Sequence, residues 1–345
     1  MPDADLPRLL GLRGSLQIDH IDSPALQGNP LGDPSLRPLA VYTPPGYDAA
    51  GSRRYPVLYC AHGYTGDVGA LVGSRKWDTN VVQWADRLIA EGRMPPVLLV
   101  IVDGWTRFGG SQYVDSIHNG EYATYLVRDV IAHVDAAYRT IPAEGGRAIF
   151  GKSSGGFASM HLVLAHPGTF AAFASHSGDA YFRYASMPAF AHAQRTLETF
   201  GGSIEAFVEA FEQKRKPPQP WFQTIEMLGY ASAYSPRAAE RWAIDLPWDA
   251  ATGELRDDVF ARWLAFDPCE RIDAGRDALL RLRLRYLDCG RRDEYALDVG
   301  ARVFVARCRE RGIECRHEEF DDDHRSVGYR HEISLPALAE VLDRA

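Results

Sequence analysis

The residues best suited to chemistry are the serine and glycines of a Gly-x-Ser-x-Gly pattern centred on Ser153. An apolar run ending at Phe150 precedes the pattern, and apolar residues at helical spacing follow it. In a strand, sharp turn and helix, the central serine lies on strained backbone with its hydroxyl above the sheet, and Gly151 and Gly155 leave room for the turn. We therefore predict that Ser153 is a nucleophile. An ordinary glycine-rich turn is the alternative.

A serine hydroxyl reacts readily only when a base accepts its proton and a carboxylate orients that base. Carboxylates suited to this role follow a predicted strand that ends at Leu287. We favour Asp293 as the acid. Glu294 is its closest rival, and Asp288 at the end of the strand is expected to cap the turn.

The candidate base is His324, which follows the last predicted strand directly after three aspartates at 321–323. A histidine flanked by acids on a solvated loop is the alternative interpretation. His331 is a second candidate base, but it lies on the approach to the final helix and is expected to be structural. His161 and His166, on the helix after Ser153, are expected to be packed or surface residues.

An oxyanion formed at Ser153 needs hydrogen-bond donors, and the sequence offers two backbone amides. The N–H of Ser154 lies at a predicted helix N-terminus, where partial positive charge gathers. A second strand ends in His62-Gly63-Tyr64, where glycine lets the Tyr64 N–H turn inward. Each such donor typically contributes about 3 to 4 kcal/mol of transition-state stabilisation. A simple glycine turn with a structural His62 is the alternative.

The elements that must position these residues alternate between strands and helices. Strand-like runs occur at 16–21, 39–42, 56–61, 97–102, 148–150, 170–175, 282–287 and 315–320. Helical spacing occurs at 79–92, 127–138, 204–211, 221–234, 298–311 and 335–342. This alternation predicts an α/β fold with a mostly parallel central sheet, helices on both faces and two antiparallel entry strands. Ligands of such sheets bind outside the carboxyl ends of the strands.

The rhythm of strands and helices breaks between residues 177 and 277, where aromatic residues and helical patches dominate. A structureless loop of this length is improbable in a compact domain. We therefore predict a core built from residues 1–176 and 278–345, and an inserted helical cap at 177–277.

Aromatic and charged residues near the predicted site are candidates for substrate binding. An apolar pocket could be lined by Trp105, which follows a central strand, and by cap aromatics, namely Trp221, Phe222, Tyr230, Trp242 and Trp248. Glu121 and Arg107 could contact a polar substrate. The alternatives are that the cap aromatics form the cap's own core, and that Glu121 is simply solvated or paired.

Composition excludes several classes of function. The chain has 345 residues, 46% hydrophobic and 24% charged, and a net charge of −8 without a basic stripe, which disfavours nucleic-acid binding. It has no apolar stretch of about 18 residues, so no membrane span is expected. Five cysteines without paired spacing and an acidic N-terminus without a signal pattern favour a cytoplasmic protein. We expect neither metal nor cofactor, and the sequence leaves room for a homo-oligomer.

Taken together, these motifs resemble the esterase D-like branch of the α/β-hydrolase superfamily. The resemblance covers nearly the whole chain from about residue 14 and rests on the segments His62–Gly66, Gly109–Ser116, Gly151–Gly156, Gly290–Tyr295 and Asp323-His324 with Tyr329-Arg330. It implies a Ser153, Asp293 and His324 triad, in the chain order usual for this superfamily, with the Tyr64 and Ser154 amides as the oxyanion hole.

The resemblance implies an esterase that acts on a small-molecule ester through an acyl-enzyme. The long segment between residues 177 and 277 departs from the compact S-formylglutathione hydrolases of this branch, so their substrate is not carried over. The chain is more similar to enterochelin esterase-like members. Two other functions remain open at this point, an acyltransferase with the same residues and a non-catalytic binding protein on the same fold.

Overall fold

A mixed eight-stranded sheet forms the centre of the computed structural model, which describes residues 6–74 and 77–344. The strands, in chain order, are β1 (Ser15–Asp22), β2 (Leu36–Thr43), β3 (Val57–Ala61), β4 (Leu98–Val102), β5 (Asp115–Ser116), β6 (Gly120–Glu121), β7 (Arg147–Lys152), β8 (Ala172–His176), β9 (Leu284–Gly290) and β10 (Arg316–Phe320). The short strands β5 and β6 pair with each other as a separate hairpin.

The order of strands in the sheet is β1-β2-β4-β3-β7-β8-β9-β10. The pairs β1·β2 and β2·β4 are antiparallel, and every later pair is parallel. This confirms the predicted α/β class, the mostly parallel sheet and the antiparallel entry strands. The residues of β3, β4 and β8 are all buried, as their continuous apolar runs require of strands covered on both faces.

Helices cover both faces of the sheet. They are α1 (Leu6–Leu10), α2 (Val68–Val72), α3 (Val81–Ala90), α4 (Tyr122–Thr124), α5 (Ile131–Ala137), α6 (Ser154–Ala165), α7 (Phe182–Ala185), α8 (Phe190–Glu198), α9 (Ile204–Gln213), α10 (Gln219–Tyr234), α11 (Asp257–Leu264), α12 (Arg276–Arg281), α13 (Leu297–Glu310) and α14 (His331–Val341). A π-helical segment, Tyr125–Val130, joins α4 to α5, so the helix predicted at 127–138 begins earlier than expected.

Alternate residues of the strands supply two separate cores. Val57 and Tyr59 of β3 face a core that also contains side chains of α5, α6 and α13. Leu58 and Cys60 face the opposite core, which α3 and α14 cover. Because successive side chains of a strand point to opposite faces, one apolar run fills both cores.

The chain between β8 and β9 folds mainly into α7 to α11 and packs around a third apolar cluster. Trp263 is fully buried in this cluster, which also includes Phe157 of α6. The helix that follows Ser153 therefore contacts both the sheet and the inserted segment. The division at 177 and 277 into core and cap stays a prediction.

Two further features of the described residues bear on the sequence expectations. None of their helices is both long and apolar enough to cross a bilayer. All five cysteines are free thiols.

Candidate active site

Ser153 occupies the sharp turn between β7 and α6, as the Gly-x-Ser-x-Gly pattern predicts. Its backbone has φ 57° and ψ −124°, a strained conformation for a residue with a side chain. The Ser153 N–H donates to the carbonyl oxygen of His176 on β8, at 2.9 Å. A Cβ atom at Gly155 would overlap the carbonyl of Ala61, so only glycine permits this approach of α6 to β3. The strained turn is thus held by its neighbours.

His324 and Asp293 form a hydrogen-bonded pair. Nδ1 of His324 lies 2.8 Å from Oδ2 of Asp293, and each residue is only 8% exposed. The other carboxylate oxygen accepts the Tyr295 N–H at 3.0 Å. Burial alone would raise the pKa of Asp293, but the hydrogen bond and charge of His324 outweigh it and hold that pKa below its usual value. The Asp293 carboxylate therefore stays ionised and fixes the ring so that Nδ1 faces it.

The rival candidates lie close by but in other roles. Glu294 accepts the backbone N–H of His324 at 3.0 Å, so it braces the loop and not the ring. Asp288 lies 2.7 Å from Nδ1 of His176, another histidine. The ring of His331 packs edge-on against that of His176, and burial lowers the pKa of His331 to about 3.

The loop after β3 lies directly against the nucleophile turn. A Cβ atom at Gly63 would be 3.4 Å from Cβ of Ser153 and 3.1 Å from the carbonyl oxygen of Lys152. His62 holds this loop, because its Nε2 accepts the N–H of Gly104 at 2.8 Å while its Nδ1 lies 2.8 Å from the carbonyl oxygen of Gly63. Because Tyr64 follows Gly63 directly, its backbone starts close to Ser153.

The two predicted amide donors belong to Ser154 and Tyr64, the residues that follow Ser153 and Gly63 in the chain. The N–H of Ser154 belongs to the first turn of α6, where amides lack partners within the helix. No backbone carbonyl in the described ranges accepts the N–H of Tyr64. The Ser154 hydroxyl accepts a hydrogen bond from Nε2 of Gln112 at 2.9 Å. The proposed donor is therefore the backbone N–H of Ser154 and not its hydroxyl.

One cavity of about 570 Å³ brings these groups together. Ser153, His324 and Tyr64 all line it, and Asp293 lies behind His324. Within the described residues no hydrogen bond joins Ser153 to His324. Such contacts are often long before substrate binds.

Trp105, Glu121 and Trp221 do not line this cavity, contrary to the sequence expectation. Trp105 borders a separate cavity that Asp67 and Val68 also line. Glu121 is exposed on the β5–β6 hairpin, and Trp221 packs against Phe200 and Phe207 within the third cluster. We therefore propose no substrate contact for them.

Four other residues line the cavity: Tyr230 and Phe222, which are among the cap aromatics expected at a pocket, and Asp179 and Glu226, which sequence reasoning passed over. Asp179 follows the carboxyl end of β8 by three residues, a position that could have drawn attention to it. The other three lie on α10, and their spacing alone could not say which face of that helix meets the site.

No group of three or more histidine, cysteine, aspartate or glutamate side chains in the described parts of the chain is arranged to hold a metal ion.

Comparison with known proteins gives a family match over most of the chain. The family model described as "Putative esterase" matches residues 34–335. The chain is 30% identical over 145 residues to "Esterase Rv1288" of Mycobacterium tuberculosis, which covers 41% of this chain and 29% of that protein. It is 28% identical over 156 residues to "Endo-1,4-beta-xylanase/feruloyl esterase" of Xylanibacter ruminicola, covering 41% of this chain and 19% of the relative. The chain thus spans less than a third of either relative.

Solved structures show the same fold at low sequence identity. A ferulic acid esterase superposes with a TM-score of 0.63 at 17% identity and covers 96% of this chain and 100% of its own. An S-formylglutathione hydrolase from Agrobacterium tumefaciens gives a TM-score of 0.60 at 17% identity, with coverage of 96% and 97%. These likenesses extend to the segment between β8 and β9 as well as to the sheet.

Proposed function

Because the chain belongs to the esterase family whose model spans residues 34–335, we propose that it is a serine hydrolase of carboxylic esters. The observation that carries this proposal is the His324–Asp293 hydrogen bond of 2.8 Å beside a cavity that Ser153 also lines. A strained serine, an oriented imidazole and an ionised carboxylate are the three parts that acyl transfer needs.

In the proposed reaction, Nε2 of His324 accepts the proton of the Ser153 hydroxyl as its oxygen attacks the ester carbonyl carbon. The tetrahedral adduct collapses, the C–O bond to the alcohol breaks, and His324 returns the proton to the leaving alkoxide. Water then attacks the acyl-enzyme with His324 again as base, which releases the acid and restores Ser153. The Asp293 carboxylate stabilises the His324 imidazolium that forms during acylation and again during deacylation.

The negative charge of the adduct forms on the former carbonyl oxygen. The N–H groups of Tyr64 and Ser154 are the proposed donors to it, supported by the contact of Gly63 with Ser153 and by the helix start at Ser154. Donors fixed in place before the reaction cost no reorganisation when the charge develops.

Hydrolysis of p-nitrophenyl acetate and butyrate by purified variants tests the proposal. Ser153→Ala and His324→Ala should each lower kcat by about 10⁴- to 10⁶-fold, leaving only oxyanion stabilisation and binding. His192→Ala, at an exposed histidine of α8, is the matched control and should behave as the unchanged protein. Full activity of a folded Ser153→Ala protein would refute the assignment.

Acyl transfer to an alcohol would use the same residues and differ only in what attacks the acyl-enzyme. Product analysis with and without an added alcohol acceptor separates the two reactions. We expect the free acid to be the main product both with and without the added alcohol.

A further inference from the structure

Two carboxyl groups that the proposed reaction does not use face the cavity beside Ser153. Asp179 follows β8, Glu226 lies on α10, and both line the cavity. Asp179 is 6% exposed, and its Oδ2 lies 3.4 Å from Oγ of Ser154, the residue next to the nucleophile. A substrate whose ester lies at Ser153 can therefore place another part of the same molecule against these carboxyls.

A single tyrosine hydroxyl bridges the two carboxyls. The hydroxyl of Tyr230 lies 3.1 Å from Oδ2 of Asp179 and 3.3 Å from Oε1 of Glu226. Because a hydroxyl has one proton, it can donate to only one of them. The remaining oxygens, Oδ1 of Asp179 and Oε2 of Glu226, have no hydrogen-bond partner within the described chain. The pair thus has free acceptor capacity directed at the cavity.

No lysine or arginine neutralises this pair in the described ranges. Lys152 also lines the cavity, but the charges that act on it are those of Asp293, Glu294 and Asp323. Burial, with the repulsion between the two carboxyls, raises the pKa of Glu226 to about 8, and burial raises the pKa of Asp179 to about 6. A positive charge on His324 acts on Asp179, but neither carboxyl has a lysine or arginine partner among the described residues. A cationic ligand would supply the missing partner.

Aromatic rings complete the wall around the carboxyls. Tyr64 and Tyr230 meet edge to face with centroids 6.3 Å apart, and Tyr295 and Phe222 line the same cavity. Aromatic faces attract organic cations, and by more where water is excluded. A cavity lined by both carboxylates and aromatic rings should bind a cationic nitrogen of a ligand better than a carboxylate or a neutral alkyl group.

We propose that Asp179 and Glu226 form a subsite for a cationic nitrogen, so that this protein prefers esters whose acyl or alcohol part carries an alkylammonium group. This inference rests on the proposed function, since it names the substrate class of the same site. Binding of the cation ionises Glu226, whose proton passes to solvent, and the ammonium then contacts both carboxylates and the nearby rings.

Two pairs of esters that differ only by N⁺ or C at one position test the subsite. Butyrylcholine is compared with 3,3-dimethylbutyl butyrate, and p-nitrophenyl 4-(trimethylammonio)butanoate with p-nitrophenyl 5,5-dimethylhexanoate. Each ratio of kcat/KM is divided by the ratio of the two hydroxide-catalysed rates, which removes the intrinsic reactivity difference. We expect a corrected preference of about tenfold or more for the cation in at least one pair, the equivalent of about 1.4 kcal/mol.

The variants Glu226→Gln and Asp179→Asn keep the side-chain shape and remove the charge. Each should lower the corrected preference by about fivefold or more, a loss expected for a partly desolvated charge pair. Glu209→Gln, at an exposed position of α9, is the control for net charge and should retain the preference. A preference that survives in both cavity variants would overturn the assignment.

A measurement on the unchanged protein keeps the test independent of how the variants fold. The preference should rise from about pH 6 to about pH 9 as Glu226 ionises. The titratable groups that face Glu226 are Asp179, Tyr64, Tyr230 and Tyr295, and the three tyrosines stay neutral over this range.

The two proposals fail in different ways. If the neutral esters are hydrolysed and the corrected preference is near or below one in both pairs, the cation subsite is refuted and the esterase stands. If neither neutral nor cationic esters are hydrolysed, the esterase function itself fails, and the subsite with it.

Discussion

His176 and Asp288 form a second histidine–aspartate pair with the same atoms in contact as the proposed catalytic one. Nδ1 of His176 lies 2.7 Å from Oδ1 of Asp288, and Nε2 lies 2.9 Å from Oγ of Ser334. All three residues are at most 1% exposed. Serine, histidine and aspartate thus lie near one another twice in this fold. Ser153 and His324 line a cavity, whereas His176, Asp288 and Ser334 are buried. A hydrogen-bonded histidine–aspartate pair can act on a substrate only where a cavity gives the substrate access to it.

The buried set should matter for stability and not for turnover. Ser334→Ala leaves Nε2 of His176 without its partner, which should cost about 1 to 3 kcal/mol of the free energy of unfolding. Urea unfolding measures that loss, and p-nitrophenyl butyrate hydrolysis should stay within about twofold. A folded, stable Ser334→Ala protein without activity would contradict the structural role.

The acid of the proposed triad can be separated from its neighbour by matched substitutions. Asp293→Asn should lower kcat by roughly 10⁴-fold, as removal of the triad carboxylate does in other serine hydrolases. Glu294→Gln weakens only a contact to the backbone N–H of His324 and should cost far less. Steady-state kinetics on both variants decide between them, and a larger loss at Glu294 would reverse the assignment.

The contact of Gly63 with Ser153 predicts a specific effect on kcat. In Gly63→Ala the new Cβ would lie 3.1 Å from the Lys152 carbonyl oxygen, a tight contact, and 3.4 Å from Cβ of Ser153. We expect the loop to shift to relieve this contact and to carry the Tyr64 amide with it. Loss of one oxyanion donor costs about 10²- to 10³-fold in kcat, with little change in KM. Gly69→Ala, on α2 outside the cavity, is the control. An unchanged kcat in Gly63→Ala would remove Tyr64 from the oxyanion hole.

The raised pKa of Glu226 predicts how stability depends on pH. Glu226 titrates near its usual value of 4.5 when unfolded and at about 8 when folded, so below 4.5 it is protonated in both states and costs nothing. As the pH rises from 4.5 through 8, the unfolded state loses its proton first, and the free energy of unfolding falls.

Glu226→Gln removes this penalty. Chemical unfolding at several pH values should show the variant more stable than the unchanged protein at pH 8 and above, with the difference vanishing near pH 4.5. A difference that stays constant with pH would mean that Glu226 does not titrate as its burial requires. A carboxyl that destabilises the fold from within a cavity is typical of a functional group.

The parts of the site that follow from local sequence could be predicted. The turn at Ser153 needs glycines that the sequence displays, and parallel strands bring Asp293 and His324 to one edge because each follows a strand's carboxyl end. The entry strands and the sheet followed from periodicity in the same way.

The residues that depend on long-range packing could not be predicted. Trp221 lies among Phe200 and Phe207 and not at the cavity because the orientation of α10 is set by contacts with α8 and α11, which no local pattern encodes. Glu226 reads as an ordinary helical glutamate until that packing directs it at the cavity.

Covalent labelling with a fluorophosphonate, followed by peptide mass spectrometry, tests directly whether Ser153 is the nucleophile. We expect one adduct, on the peptide that contains Ser153, with no adduct in Ser153→Ala and slow labelling in His324→Ala. An adduct on another residue, or an unmodified Ser153 in protein that still hydrolyses esters, would contradict it.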